Sequence, residues 1–526
     1  ILLPTAAGRD PAAVAVGAGY RHRLAWVIAP ELRGQPGRWE ALVDAHSGEL
    51  LSFVDTRSYA TTRTVVGGVF PVSNDGAAPD GVEQAGFPMP FADVTSSGEL
   101  AYTDSGGNHP VCADGEVTTT LDGRYIRIDD FCGAISESST GDIDLGIGTG
   151  QDCDVPLPGV SSPGNTHAAR TAFYHLNRVA DQARAHLPGN SWLQNQLTAA
   201  VNIPDLGVPE YNCNAFWDET TVNFFTSGEA APGIVCSNTG EIAGVLNHEW
   251  GHGLDDNDAV PTISSPGEGI ADVYAALWLD DSCIARGFYL GDHLCGGIDA
   301  CTACNGVRDI DWEMRESGVP HDLPWIDAQC DPPFLGDVGP CGGDIYCESA
   351  VYSEAIWDLV HRDLQTAPFG MDLNTALEIG TRLMYLGAGA VGAWYQCVDG
   401  TGTGDGCNPD GGYLNFLAID DDNGTLADGT PHMEAIFSAF DRHGIACNTL
   451  TVQNNGCSGA PTTAPTVTAT PIDRGVVLSW PPVTGATKYQ VFRGDGVFGC
   501  DFGKVKVGEA EGTEFIAGEL LHGHDY

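Results

Sequence analysis

The sequence contains no stretch of about twenty apolar residues, so no helix in it is expected to span a bilayer. Ile1 to Asp10 lack a basic region followed by an apolar run, so no secretory signal is expected there. Basic residues are scarce, 23 against 71 acidic ones, and a formal charge of -48 argues against nucleic acid or an anionic membrane as the main partner. The glycine-rich stretch Asp399 to Gly406 does not follow a strand with a GxGxxG turn, which excludes a nucleotide loop of that kind. EF-hand spacing is also missing: the acidic run Asp255 to Asp258 reads as a solvated turn. So acidic a surface suits solvation outside the cell and favours bound calcium.

Against these absences stand 526 residues, enough for roughly three or four domains. Seventeen cysteines point to an oxidising compartment, with close pairs at Cys213 and Cys236, Cys397 and Cys407, and Cys447 and Cys457. The odd total leaves at least one thiol over, for which Cys500 is the candidate. Cys301 and Cys304 form a lone CxxC, and without a second such pair a disulfide role is expected rather than a zinc finger.

The strongest chemical signal is His248-Glu-Trp-Gly-His252. Histidines four apart on a helix lie one turn above each other, so two imidazoles can reach one metal ion while Glu249 points at a ligand of that metal. Ser237 to Thr239 offer N-caps for this helix, Glu241 to His252 form it, and Gly253 is expected to stop it. A second helix is expected from Ser265 as N-cap and Pro266 at the first helical position. Two roles stay open for Glu268. It completes a Ser-x-x-Glu capping box, and with Asp272 one turn on it also fits a metal ligand beside a carboxylate that orients a histidine.

Elsewhere, Arg23 to Ile28 and Trp39 to Asp55 read as strands around a turn at His46 to Gly48, and residues 59–160 as a β-rich region. Helices are expected over 166–188, 351–363, 373–386 and 433–443. His167, His175 and His186 lack partners at ligand spacing. Asn214 to Asp218 and Thr221 to Phe225 are strand-like runs that suggest a sheet edge beside the metal helix, able to pair with an extended peptide.

Asn214-Ala-Phe-Trp, the HExxH run and Gly267-Glu268-Gly-Ile-Ala-Asp272 occur together in an order that resembles the gluzincin metallopeptidases, the thermolysin and fungalysin families in particular. The likeness covers about residues 60–447, with sharp motifs only in 214–272. It implies an α+β fold with a β-rich amino-terminal subdomain, a helical carboxy-terminal subdomain and a zinc cleft between them. Residues 1–58 resemble the last hairpin of the propeptide that precedes such proteases. Residues 466–526, after a linker at 459–465, resemble part of a fibronectin type III β-sandwich, with Trp480 as its core tryptophan and Tyr526 where its tyrosine corner is expected. The catalytic region then divides into 59–255 and 256–458, with a cysteine-rich insertion at 283–347.

Carried over residue by residue, the resemblance implies that His248, His252 and Glu268 bind zinc and that Glu249 is the general base acting on water. Asp272 would orient His248, Asn214 and Ala215 would pair with the substrate backbone, and Arg308 would contact a substrate carbonyl or form a structural ion pair. The interval from His252 to Glu268 contains no tyrosine, so the family's phenolic oxyanion donor is missing there. Tyr346 is the candidate replacement and His432 the alternative, each also readable as a structural residue. The expected activity is that of a secreted zinc endopeptidase acting on protein or peptide, its terminal module meeting a surface or polymer. The rivals are an aminopeptidase of the same fold and a non-catalytic adhesion protein on a protease-like scaffold.

Overall fold

The computed structural model describes residues 2–5, 21–30, 39–55, 62–110, 115–147, 162–204, 213–259, 263–297, 299–331, 338–398, 403–455, 465–472, 475–486, 488–493 and 505–518. The chain is mixed α and β and divides into two compact units, Ile1–Thr62 with Pro110–Cys112, and Arg63–His109 with Ala113–Tyr526. Among the described residues no helix is long and apolar enough to cross a membrane.

The first unit is an antiparallel sheet in the order β1 (Leu2–Thr5), β2 (Arg21–Ile28), β3 (Trp39–Asp44), β4 (Leu50–Asp55). Its expected turn is built by Asp44, whose Oδ1 accepts from the N–H groups of His46 and Ser47, and Gly48 supplies the positive φ of 75°.

The second unit is organised on a four-stranded sheet of β5 (Ile126–Asp130), β6 (Leu197–Ile203), β7 (Ala215–Trp217) and β8 (Thr221–Phe225), in the order β5-β6-β8-β7. The first three in that order run parallel and β7 turns back antiparallel, which leaves the short β7 at the edge. Helix α1 (His167–His186) packs on β5 and β6, its first turn capped by the Thr166 hydroxyl, which accepts from the Ala169 N–H. The three histidines of this segment have structural roles: His167 faces Glu83, His175 faces the Phe70 carbonyl and His186 stacks on Tyr385.

Two helices follow. Asn238 caps a single turn, Thr239–Glu241, and α2 (Ala243–Asn257) begins after it. The expected stop at Gly253 does not occur. The helix runs on through Asp255, and a Cβ at residue 253 would come within 2.9 Å of the Trp192 indole, so the glycine admits a neighbour rather than ending the turn. The acidic run therefore lies largely on the helix, with Asp255 buried and accepting from the N–H and hydroxyl of Ser264. Helix α3 (Gly267–Leu279) starts at Gly267 without a side-chain cap. Ser265 instead bridges to Ala393, its N–H donating to Gly392 and its carbonyl accepting from Trp394, so no capping box forms and the Glu268 carboxylate is released for other partners. Helices α2 and α3 press together where a Cβ on Gly251 would lie 2.9 Å from the Ala271 Cα.

The hairpin β9 (Gly228–Ala231) and β10 (Ile234–Cys236) and the pair β11 (Cys283–Ile284) and β12 (Arg308–Asp309) flank these helices. Further on come α4 (Leu323–Gln329), α5 (Ile345–Asp358), α6 (Leu373–Gly387), α7 (Gly412–Asp420) and α8 (Met433–Arg442). Helix α5 begins six residues earlier than expected because the Asp344 carboxylate caps it, and it widens into a π-helical turn, Leu359–Asp363.

Cys213 pairs with Cys236 as expected. Cys397 pairs not with Cys407 but with Cys341, and Cys407 not with Cys397 but with Cys447, because the fold brings those Cα atoms to 5.1 and 4.8 Å. Cys301 and Cys304 are both in disulfides, to Cys295 and Cys283 respectively. Cys457, Cys500 and Tyr526 lie outside the described residues.

Toward the carboxy terminus β13 (Thr468–Ile472), β14 (Gly475–Ser479) and β17 (Glu514–Gly518) form one sheet, and β15 (Tyr489–Arg493) and β16 (Val505–Ala510) another. Trp480 is buried with the Tyr489 ring 5.1 Å away.

Candidate metal centre

His248 and His252 sit one turn apart on α2, and Glu268 sits in the first turn of α3. The close approach of the two helices brings their side chains to one point. The two Nε2 atoms lie 3.1 Å apart, and the Glu268 carboxylate stands 3.3 Å from that of His248 and 3.6 Å from that of His252. Behind this group Asp272 lies 2.9 Å from His248 Nδ1, which keeps the proton of that ring on Nδ1 and turns Nε2 inward.

Arg308, at the end of the cysteine-stapled loop, forms two hydrogen bonds to Asp272, at 2.5 and 2.8 Å, and one to Glu268, at 3.1 Å. It is thus an ion-pair partner of the orienting carboxylate and of the third donor at once. Its guanidinium carbon is 5.6 Å from the Tyr346 ring.

The electrostatics follow from burial plus these contacts. Burial works against a charged His248, but its hydrogen bonds to Asp272 and Glu268 prevail and hold it up at about 10. His252 is pushed the other way, to about 4, by burial and then by the charge of His248. Burial also works against the charge on Glu268, but the two histidines and Arg308 hold its carboxyl well below the usual range. Burial lifts Glu249 to about 7, with His248 opposing and Glu268 assisting, and its carboxylate accepts a hydrogen bond from the Trp217 backbone. The Tyr346 hydroxyl is raised to about 12, first by the Glu268 charge and then by burial, so it keeps its proton.

Two imidazole nitrogens at 3.1 Å are within hydrogen-bond distance, so a proton stands between them. A divalent ion can take the proton's place, since the donor set is two nitrogens and a carboxylate with all candidate ligand atoms within 4.8 Å of one another. These residues fit a zinc ion. The three buried cysteines at 295, 301 and 304 also cluster, but each is in a disulfide.

The centre opens into a cleft of about 410 Å³. One side is the edge strand, with Asn214, Ala215 and Trp217, and the other carries Val307, Arg308 and Tyr346. Of the residues singled out in the sequence, His248, Glu249, His252, Glu268, Asn214, Ala215, Arg308 and Tyr346 are brought together here, with Asp272 directly behind. Tyr346 stands at the mouth, 55 % exposed. His432 is not in this group. It sits before α8, its Nδ1 2.7 Å from the Asp420 carboxylate, which also accepts from its backbone N–H.

Sequence reasoning passed over the apolar wall, Val245, Ile284, Phe288 and Val307. The available signal was positional: Ile284 follows Cys283 and Val307 precedes Arg308, and the Cys283–Cys304 disulfide brings both ends of that loop to the cleft.

No protein-family model matches the sequence. No curated protein matches it either. Among solved structures the chain is similar to one described as the precursor of protealysin, a metalloproteinase from Serratia proteamaculans, with 15 % identity, a TM-score of 0.36, and coverage of 56 % of this chain and 82 % of that one.

Proposed function

We propose that the chain is a secreted zinc endopeptidase of gluzincin type. The reading is carried by one observation, the convergence of His248 Nε2, His252 Nε2 and the Glu268 carboxylate beside a buried Glu249, in a cleft bordered by a sheet edge. His248, His252 and Glu268 would hold the ion, which when bound supplies a Lewis acid for the scissile carbonyl and lowers the pKa of a water. Glu249 takes a proton from the attacking water and passes it to the leaving amine. The Trp217 N–H fixes the carboxylate of Glu249 in place, and Asp272 fixes the ring of His248. An extended peptide pairs with Asn214 and Ala215 along β7. Tyr346, protonated at neutral pH, donates to the oxyanion from the mouth of the cleft.

The rest of the chain is read on the same basis. Residues 1–58 are the end of a propeptide, 59–255 and 256–458 the two catalytic subdomains, and 466–526 part of a fibronectin type III module that meets a surface or polymer. Paired cysteines support an extracellular setting.

The test is metal analysis combined with digestion of an unfolded protein by wild type and Glu249→Gln. The variant is expected to retain zinc and to lose roughly 10²- to 10⁴-fold in kcat. Equal cleavage by both chains, or a wild type that binds no zinc, sinks the reading.

A further inference from the structure

The strand that borders the cleft is only three residues long, Ala215–Trp217, and has one neighbour in its sheet. So short an edge strand cannot fix its own position by its ladder. All three of its residues pair with β8, Ala215 with Phe224 and Trp217 with Val222, and the far end has in addition the bond from the Trp217 N–H to Glu249. Its near end, at Asn214, is tied from below as well.

Thr239, in the turn before α2, is fully buried. Its hydroxyl accepts from the Phe225 N–H at 2.7 Å and lies 3.0 Å from the Asn214 carbonyl and 3.2 Å from that of Phe225. One hydroxyl proton serves two carbonyls, so this single oxygen ties the residue that enters β7 to the residue that ends β8. The disulfide from Cys213 to Cys236 adds a covalent tie one residue upstream.

The turn that carries Thr239 is itself anchored. Asn238 accepts from the Gly240 N–H and donates to the Asn202 side chain at 2.7 Å, and Asn202 donates to the Asp130 carboxylate at 3.1 Å. Asn202 takes a φ of 56° inside a register shift of β6, which places its amide between the sheet and the turn. A buried polar chain thus runs from β5 through β6 to the turn beneath the cleft edge. Such a chain is costly unless every member is paired, so it specifies one position for the turn.

We propose that Thr239 is a positioning residue for extended peptide substrates: through its hydroxyl it sets the height of Asn214, and with it the main-chain groups that an incoming strand must meet. The proposal rests on the peptidase reading. Because the Trp217 end is held separately, loosening the Asn214 end acts on pairing with long substrates more than on Glu249.

Wild type, Thr239→Val and Thr239→Ser are compared as full chains with zinc loaded. The readouts are KM and kcat for a long unstructured peptide, kcat/KM for a blocked peptide too short to run along β7, and hydrogen exchange over residues 214–217. For Thr239→Val the expected result is a roughly ten-fold rise in KM for the long peptide with kcat changed far less, a like fall in the long-to-short preference, and roughly ten-fold faster exchange at 214–217. Thr239→Ser restores all three. If the valine chain does not fold, Thr239→Ala carries the same expectation. An unchanged long-to-short ratio, exchange as in wild type, or failure of serine to rescue overturns the proposal. A wild type that binds zinc and cuts no peptide overturns the peptidase reading and the substrate half of this inference, while exchange at 214–217 still decides whether the clamp exists.

Discussion

His248 and His252 turn their Nε2 atoms toward each other and toward the cleft, whereas His321 and His443, buried in the same unit, keep both ring nitrogens against protein oxygens. His321 lies 2.7 Å from Glu354 through Nδ1 and 3.1 Å from Asp299 through Nε2. His443 faces the His321 carbonyl at 2.6 Å and Asp358 at 3.3 Å. Both groups are made of histidines and carboxylates in the interior with arginine beside them, Arg308 in one and Arg362 and Arg442 in the other. What separates them is direction. In the closed group every ring nitrogen faces an oxygen acceptor, while in the open group Asp272 occupies one nitrogen of His248 and leaves Nε2 to converge with that of His252. Of these two groups, only the one whose second nitrogens point at one another could hold a metal ion.

The largest expected effect lies on the closed side. Asp358 is fully buried and accepts from Arg362, Arg442 and the Trp312 indole, besides facing His443. Asp358→Asn strands those cations and should cost about 3–5 kcal/mol in urea denaturation with zinc content unchanged. Loss of zinc without loss of stability would erase the distinction between the two groups.

The matching change on the open side is Asp272→Asn. It frees the His248 ring and removes the main partner of Arg308, and zinc affinity measured against a competing chelator should fall roughly 10- to 100-fold. Wild-type affinity in this variant would mean that Asp272 serves only Arg308.

A third carboxylate sharpens the comparison by having no cation beside it among the described residues. The Asp255 carboxylate is buried and, among the described residues, has only Ser264 as its hydrogen-bond partner, and burial raises it to about 7. A carboxyl raised in the folded state is held protonated there, so its contribution is present below about pH 4 and is lost as pH rises toward 7. Asp255→Asn, neutral at every pH, should match wild type in Tm near pH 4 and exceed it by roughly 2 °C at pH 8. The Ser264 hydroxyl can then accept from the new amide and donate to the Val391 carbonyl, 2.7 Å away. An equal difference at both pH values would show that burial does not govern this group.

Much of the open group was legible in the sequence because its geometry is local. Four residues along a helix place His248 above His252, and four more place Asp272 above Glu268, with no knowledge of the fold. The edge position of Ala215–Trp217 was legible for a similar reason, since two short strand-like runs next to the motif have little room to lie elsewhere. The closed group leaves no such trace. Asp299, His321, Glu354, Asp358 and His443 come from separated segments, and only tertiary packing assembles them. The same divide explains the errors. Gly253 looked like a helix stop because the Trp192 indole that fills its place lies about sixty residues away, and Ser265 looked like a cap because its strand-like partner Ala393 is farther still. Cysteine pairs chosen by nearness in the chain, Cys397 with Cys407 and Cys447 with Cys457, failed for want of the same information, since Cys397 bonds Cys341 and Cys447 bonds Cys407.

Gly251 lies between the two ligand histidines and faces Ala271, which lies between Glu268 and Asp272. Its missing methyl group acts as a calliper. Donors on α2 and donors on α3 can stand only as far apart as these two backbones allow, so the spacing of His248, His252 and Glu268 is set by a residue that takes no part in their contacts. How closely the two helices may lie is thus written into the chain as the absence of a single carbon atom.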